Sequence, residues 1–263
     1  MKPAAALAAC LILGACATSR PPAPVPAPTA QGYLDEAALD QLAGAFRPTP
    51  LIPENEPPDP ARFGPGTDRW WLAIAHAELR PPEAAQHFDC RLGTRLADQA
   101  RPALSRVMTR LLTDTENLTR RLAQAHPRQR PIAADHGLQP CQRINDATRN
   151  SPSWPAGGAV AGAAYGELYA DLAPDQAASL RRQGSEIGFS RAVCRMNWMT
   201  DVQDGLDIGR AVYERAAAMP DFAVDLEAAR AEVAKARAEG LTNPGCAAER
   251  RALAPGAVRL DEG

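Results

Sequence analysis

Three short stretches of the chain hold residue types that suit binding of a phosphate-like anion. They are Arg128-Gln129-Arg130-Pro131, then Ser153-Trp154-Pro155-Ala156-Gly157-Gly158, then Ser190-Arg191 running on through Cys194 and Asn197 to Asp201. Arg130 and Arg191 offer planar guanidinium forks that match the oxygens of a tetrahedral oxyanion. A helix that begins near Ala156 would aim the Gly157 N–H and its positive dipole end at the same anion. Residue types of this kind could hold an anion if the fold brings them together, but group transfer would also need a nucleophile and a proton donor. Asn197 has a nitrogen lone pair delocalised into its amide, and Gly158 has no side chain.

These segments resemble the tripartite signature of the bacterial class A non-specific acid phosphatases, within the phosphatidic acid phosphatase type 2 superfamily. That signature reads Lys-x6-Arg-Pro, then Pro-Ser-Gly-His, then Ser-Arg-x5-His-x3-Asp. The order and separation fit, and the similarity extends over most of residues 68 to 237. The resemblance implies that a lysine and two arginines clamp the phosphoryl oxygens, a serine hydroxyl and a glycine N–H assist, one histidine attacks phosphorus, and another protonates the leaving group. Here Ala123 stands at the lysine position, Ala156 at the serine, Gly158 at the acid histidine and Asn197 at the nucleophile. Arg130, Arg191, Gly157 and Asp201 are retained. The family mechanism implies no metal and no cofactor.

Four histidines remain as substitutes: His76, His87, His126 and His136. His126 and His136 flank the first segment and are the ones placed to approach the pocket, whereas His76 and His87 are expected to face the N-terminal arm or solvent. Arg130, Arg191 and Asp201 also admit a purely structural reading, as a buried ion-pair network that is costly to break from one side.

The elements that must position these residues read as helices. Leu104, Val107, Met108, Leu111 and Leu112 fall at i, i+3, i+4, i+7 and i+8, one stripe on one face. Residues 159–172 are small and apolar, 175–189 amphipathic, 201–218 periodic, and 221–238 charged and alanine-rich. Alternation with period two is scarce. An all-α fold follows, a single helical bundle over residues 68–240, of the phosphatidic acid phosphatase type 2 and haloperoxidase-like type.

Ahead of that domain, residues 1–15 read as a lipoprotein signal peptide: a basic start at Lys2, a short apolar run, and Leu13-Gly14-Ala15-Cys16, which resembles a lipobox. Acylation of Cys16 would anchor the chain without a transmembrane helix, at about 0.8 kcal/mol per buried CH₂. Ala17, where an aspartate would favour the inner membrane, points to the outer membrane. Residues 16–32 then form a Pro-rich tether of polyproline II character, residues 33–67 an irregular N-terminal arm, and residues 241–263 a C-terminal tail.

A net charge of -2 and an isoelectric point near 6.1 argue against a nucleic-acid partner, which would need a basic face. Cys90, Cys141, Cys194 and Cys246 remain in the mature domain, enough for two disulfides with three connectivities in an oxidising envelope. Cys141 with Cys194 is the preferred pair, because both neighbour segments that should converge. No Cys or His spacing suits zinc.

Three functions follow. One is a pseudo-phosphatase that keeps an anion cradle, for phosphate or a phosphorylated small molecule, without turnover. Another is an active phosphomonoesterase with a site rewired around His126 or His136. The last is a structural lipoprotein with a vestigial pocket and an envelope protein partner.

Overall fold

The computed structural model describes residues 31–51 and 59–254. The signal peptide, Cys16 and most of the Pro-rich tether lie outside the described residues. Short helices come first: α1 (Glu36–Ala45), α2 (Pro60–Phe63), α3 (Asp68–Ala75) and α4 (Asp89–Leu92). The long α5 (Pro102–Ala125) follows, then two brief turns, α6 (Pro131–Ala134) and α7 (Asp146–Asn150). The bundle is completed by α8 (Gly157–Leu172), α9 (Ala177–Val193), α10 (Met199–Ala217) and α11 (Pro220–Ala238), and α12 (Cys246–Ala252) closes the described chain. Among the described residues there is no strand, so the all-α expectation is met.

The bundle is organised around α8, which packs against α9, α10 and α5. Its sequence explains why. Ala159 through Ala164, with Tyr165, Leu168 and Tyr169, are buried on every side, and a helix that is apolar all round stabilises itself only as a core element. Small side chains let neighbouring backbones come close. A Cβ added at Gly184 of α9 would lie 2.4 Å from the Gly162 carbonyl oxygen, and one at Gly209 of α10 would lie 2.2 Å from that of Val160.

The stripe Leu104, Val107, Met108, Leu111 and Leu112 is buried as its spacing predicts. The 175–189 stretch departs from a simple amphipathic helix: α9 buries Gln183, Gly184, Gly188 and Ser190 as well as its apolar residues, because it is covered by α8 on one flank and α3 on another.

Two segments outside the 68–240 bundle hold helices that the sequence expectation does not include. The arm over 33–67 is not irregular throughout, since α1 is capped by the Asp35 side chain accepting from the Ala38 N–H and packs on α5. Asp114 of α5 also accepts the Tyr33 and Leu34 N–H groups at 2.8 and 3.1 Å. The C-terminal stretch likewise holds α12, tied to α4 by a Cys90–Cys246 disulfide. The arm buries Tyr33, Leu34 and Leu39 in the core, and both segments also depend on polar or covalent links that periodicity does not register.

Candidate functional site

The first turn of α8 is the centre of the site. Ala156 is its N-cap, fully buried, and its N–H donates to the Asp201 carbonyl at 3.1 Å. Gly157 and Gly158 are the first two helical residues, so their N–H groups have no intrahelical acceptor and carry the positive end of the dipole.

Arg191, on the last turn of α9, lies across this turn. A Cβ at Gly158 would fall 2.5 Å from Arg191 Cδ and 2.9 Å from Cγ, so the arginine stem occupies the space a side chain there would claim. Arg191 is half-buried. Burial lowers its pKa to about 10, with the Arg130 charge adding to the effect, and it stays cationic at neutral pH. Among the described residues its guanidinium has no carboxylate and no side-chain hydrogen bond.

Arg130 caps α6 and is half-buried. It donates from Nε to Ser151 Oγ at 3.1 Å and from Nη1 to the Met196 carbonyl at 2.7 Å. Burial lowers its pKa, and the Asp201 charge acts in the opposite sense. The Arg130 charge is felt at Arg191, and among the described residues neither cation is in direct contact with a carboxylate.

Asp201 has a different partner from the one the ion-pair reading assigned. It is fully buried near the start of α10, where one carboxylate oxygen accepts from Arg128 Nη1 and the other from the Ser153 hydroxyl. Burial pushes its pKa up, against the pull of Ser153 and Arg128. Arg128 was visible in the first segment, two residues before Arg130, yet only the tertiary structure shows that it takes the aspartate. Its other terminal nitrogen donates to the Thr49 carbonyl at 2.6 Å, and Thr49 bonds Asp204 through both its N–H and its hydroxyl, at 2.9 and 2.7 Å. The N-terminal arm is therefore pinned beside the site.

Asn197 is buried and its amide nitrogen donates to the Ser153 carbonyl. The chain reaches it through a tight reversal after α9, with Arg195 at φ 59° and the N–H groups of Met196 and Asn197 both returning to the Arg191 carbonyl. Asn197, Ser153, Asp201 and Arg128 form one hydrogen-bonded polar chain, and the Asn197 amide nitrogen, its lone pair delocalised, is its donor end. Ala123 sits one turn beyond Thr119 on α5, and Thr119 Cγ2 would stand 3.3 Å from a Cβ at Gly157. The lysine position thus adjoins the start of α8 and brings no charge. Cys141 and Cys194 are joined by a disulfide, which ties the loop after α6 to the residue that ends α9.

The histidines divide in an unexpected way. His76 and His87 are buried, at 1% and 5% exposure, and do not face solvent. His76 Nδ1 lies 2.8 Å from the Ser190 hydroxyl, which also receives Arg69 and itself donates to the Glu186 carbonyl. His87 Nε2 lies 2.7 Å from the Glu78 carbonyl. Desolvation, the largest effect on both, lowers their pKa values and keeps them neutral. His136 is exposed in a turn, and His126 packs edge-on against Trp154 at 5.6 Å between ring centroids. A cavity of about 440 Å³ opens beside Gly157, lined by Leu79, Leu112, Thr119 and Ala161, with Arg80 and Arg120 among its charged residues.

No family model matches the chain. Individual proteins do. An acid phosphatase of Zymomonas mobilis is 28% identical over 177 residues, 67% of this chain and 67% of that protein. Non-specific acid phosphatases of Providencia stuartii and Salmonella typhimurium are 25% and 26% identical over 171 residues, 64% of this chain and 68% of each. These relatives bear out the resemblance to the class A non-specific acid phosphatases.

Proposed function

From kinship with the acid phosphatases and the geometry at the start of α8, we propose that this protein is a pseudo-phosphatase: it holds a phosphate or a phosphorylated small molecule without hydrolysing it. The observation that carries the reading is Arg191, a half-buried cation with no anionic partner among the described residues, laid across the opening turn of a helix. An arginine kept only as part of an ion-pair network would sit against Asp201, which is bonded to Arg128 and Ser153 instead. Phosphate oxygens would take the Arg191 fork, the available donors of Arg130 and the N–H groups of Gly157 and Gly158. The adjoining cavity would receive the organic part of a larger ligand.

Thermal unfolding with and without inorganic phosphate tests this. Ligand at about 100 times its dissociation constant stabilises by roughly 2.7 kcal/mol, which for a domain of this size raises the midpoint by about 5–10 °C. The rise should vanish in Arg191→Ala. An equal rise in both proteins would remove the cradle from the account.

The same proposal places the domain in the bacterial envelope, acylated at Cys16 and facing the periplasm from the outer membrane. Support comes from the Leu13-Gly14-Ala15-Cys16 string, the Pro-rich tether after it, and two disulfides that suit an oxidising compartment. Cys16→Ser should abolish incorporation of labelled fatty acid into the protein in an expressing bacterium. Undiminished labelling of the variant would count against acylation at Cys16.

A further inference from the structure

A second basic cleft lies on the far stretch of α8, away from its opening turn. It has a volume of about 310 Å³, at the small end of ligand-sized pockets. Arg181, Arg182 and Ser185 of α9 line one side, Arg210 of α10 lines the other, and Ala163 and Ala178 contribute only methyl groups. The close backbone packing already described produces this convergence. Gly184 presses α9 onto α8, and Gly209, the residue before Arg210, presses α10 onto α8 with its would-be Cβ 2.8 Å from that of Ala163.

The charges in the cleft are not balanced from within. Among the described residues Glu167 is the one carboxylate lining it; Glu167 accepts from Arg181 Nε at 2.7 Å, and both terminal nitrogens of that fork have no hydrogen-bond partner there. Arg210 bonds Asp207 through Nη1, an exposed pair one turn apart on the same helix. Arg182 has no ion pair and no side-chain hydrogen bond among the described residues. Solvated arginines on a helix surface commonly point apart; here three of them, with a serine, border one concave volume.

We propose that this cleft is a second anion site, which binds a phosphate-bearing group through Arg181, Arg182 and Arg210. A guanidinium fork suits phosphate oxygens, and three forks around one volume favour a dianion over a carboxylate. The group could belong to a free phosphorylated solute or to a phospholipid headgroup, and the two sources separate by experiment.

The test uses the full chain carrying Cys16→Ser, so that no acyl group contributes, and Arg191→Ala, so that the first cradle is silent. Calorimetric titration with inorganic pyrophosphate should still show one site. Adding Arg182→Gln and Arg210→Gln should weaken it at least about tenfold, the loss expected when charge-assisted hydrogen bonds are removed, with the unfolding midpoint unchanged because these side chains reach solvent. If the headgroup is the source, the same pair of substitutions should abolish sedimentation with phosphatidylcholine vesicles containing phosphatidic acid. Either loss supports the site. Unchanged behaviour of the Arg182→Gln, Arg210→Gln protein in both arms overturns it. Failure of the first cradle would show separately, as equal pyrophosphate stoichiometry with and without Arg191→Ala.

Discussion

Hydrolysis of an aryl phosphate by the purified protein is expected to run about six orders of magnitude below that of a relative with histidine at both catalytic positions. That factor corresponds to about 8 kcal/mol of lost transition-state stabilisation. Asn197 has its amide nitrogen committed to the Ser153 carbonyl in a buried position, so on the proposed reading that position supplies neither nucleophile nor attack geometry. Gly158 offers no proton to a leaving alkoxide, and Arg191 fills the space above it.

Reinstating one histidine should not help. Groups that act as a unit lose most of their effect when any member is missing, and Asn197→His would find Asp201 already bonded to Arg128 and Ser153. Gly158→His would further require the Arg191 stem to swing aside. The assay runs between about pH 5 and 8 beside Arg191→Ala, which excludes a contaminating phosphatase. Turnover that disappears in that control would instead favour a site rewired around His126, the one candidate histidine in ring contact with the second segment.

Gly209→Ala should produce the largest loss of stability. The added methyl would sit 2.2 Å from the Val160 carbonyl oxygen and 2.8 Å from the Ala163 methyl, and neither can retreat, because Val160 lies in the fully buried middle of α8. The two helices must separate. Overpacking of this kind costs typically 1–3 kcal/mol and occasionally more, and a backbone clash belongs at the upper end. For a domain of this size about 3 kcal/mol lowers the unfolding midpoint by roughly 6–12 °C. A midpoint within about 2 °C of wild type would show that α8 and α10 are not in backbone contact. Gly44, which has open space around it, supplies the matched control: Gly44→Ala should leave the midpoint nearly unchanged.

The helices were legible where burial imposes a period, as in the Leu104 to Leu112 stripe, and α8 where an unbroken run of small apolar residues demanded an interior place. Arg130, Arg191 and Gly157 could be picked out because their spacing from proline, serine and one another follows a known order. What escaped were pairings across large sequence distances. Arg128 reaches Asp201 over 73 positions and Thr49 reaches Asp204 over 155; a charge on an irregular segment has no period that announces its partner. His76 and His87 were misplaced for a related reason. A single histidine at a helix end looks the same in sequence whether it meets water or, like His76, a buried hydroxyl on another helix.

The most direct test of a cradle without chemistry is ³¹P NMR of phenyl phosphate incubated with the purified protein. The ester resonance should broaden or shift as the protein is added, stay unperturbed with Arg191→Ala, and persist as ester throughout. Growth of an inorganic phosphate resonance, absent with Arg191→Ala, would contradict the account and identify a working phosphatase.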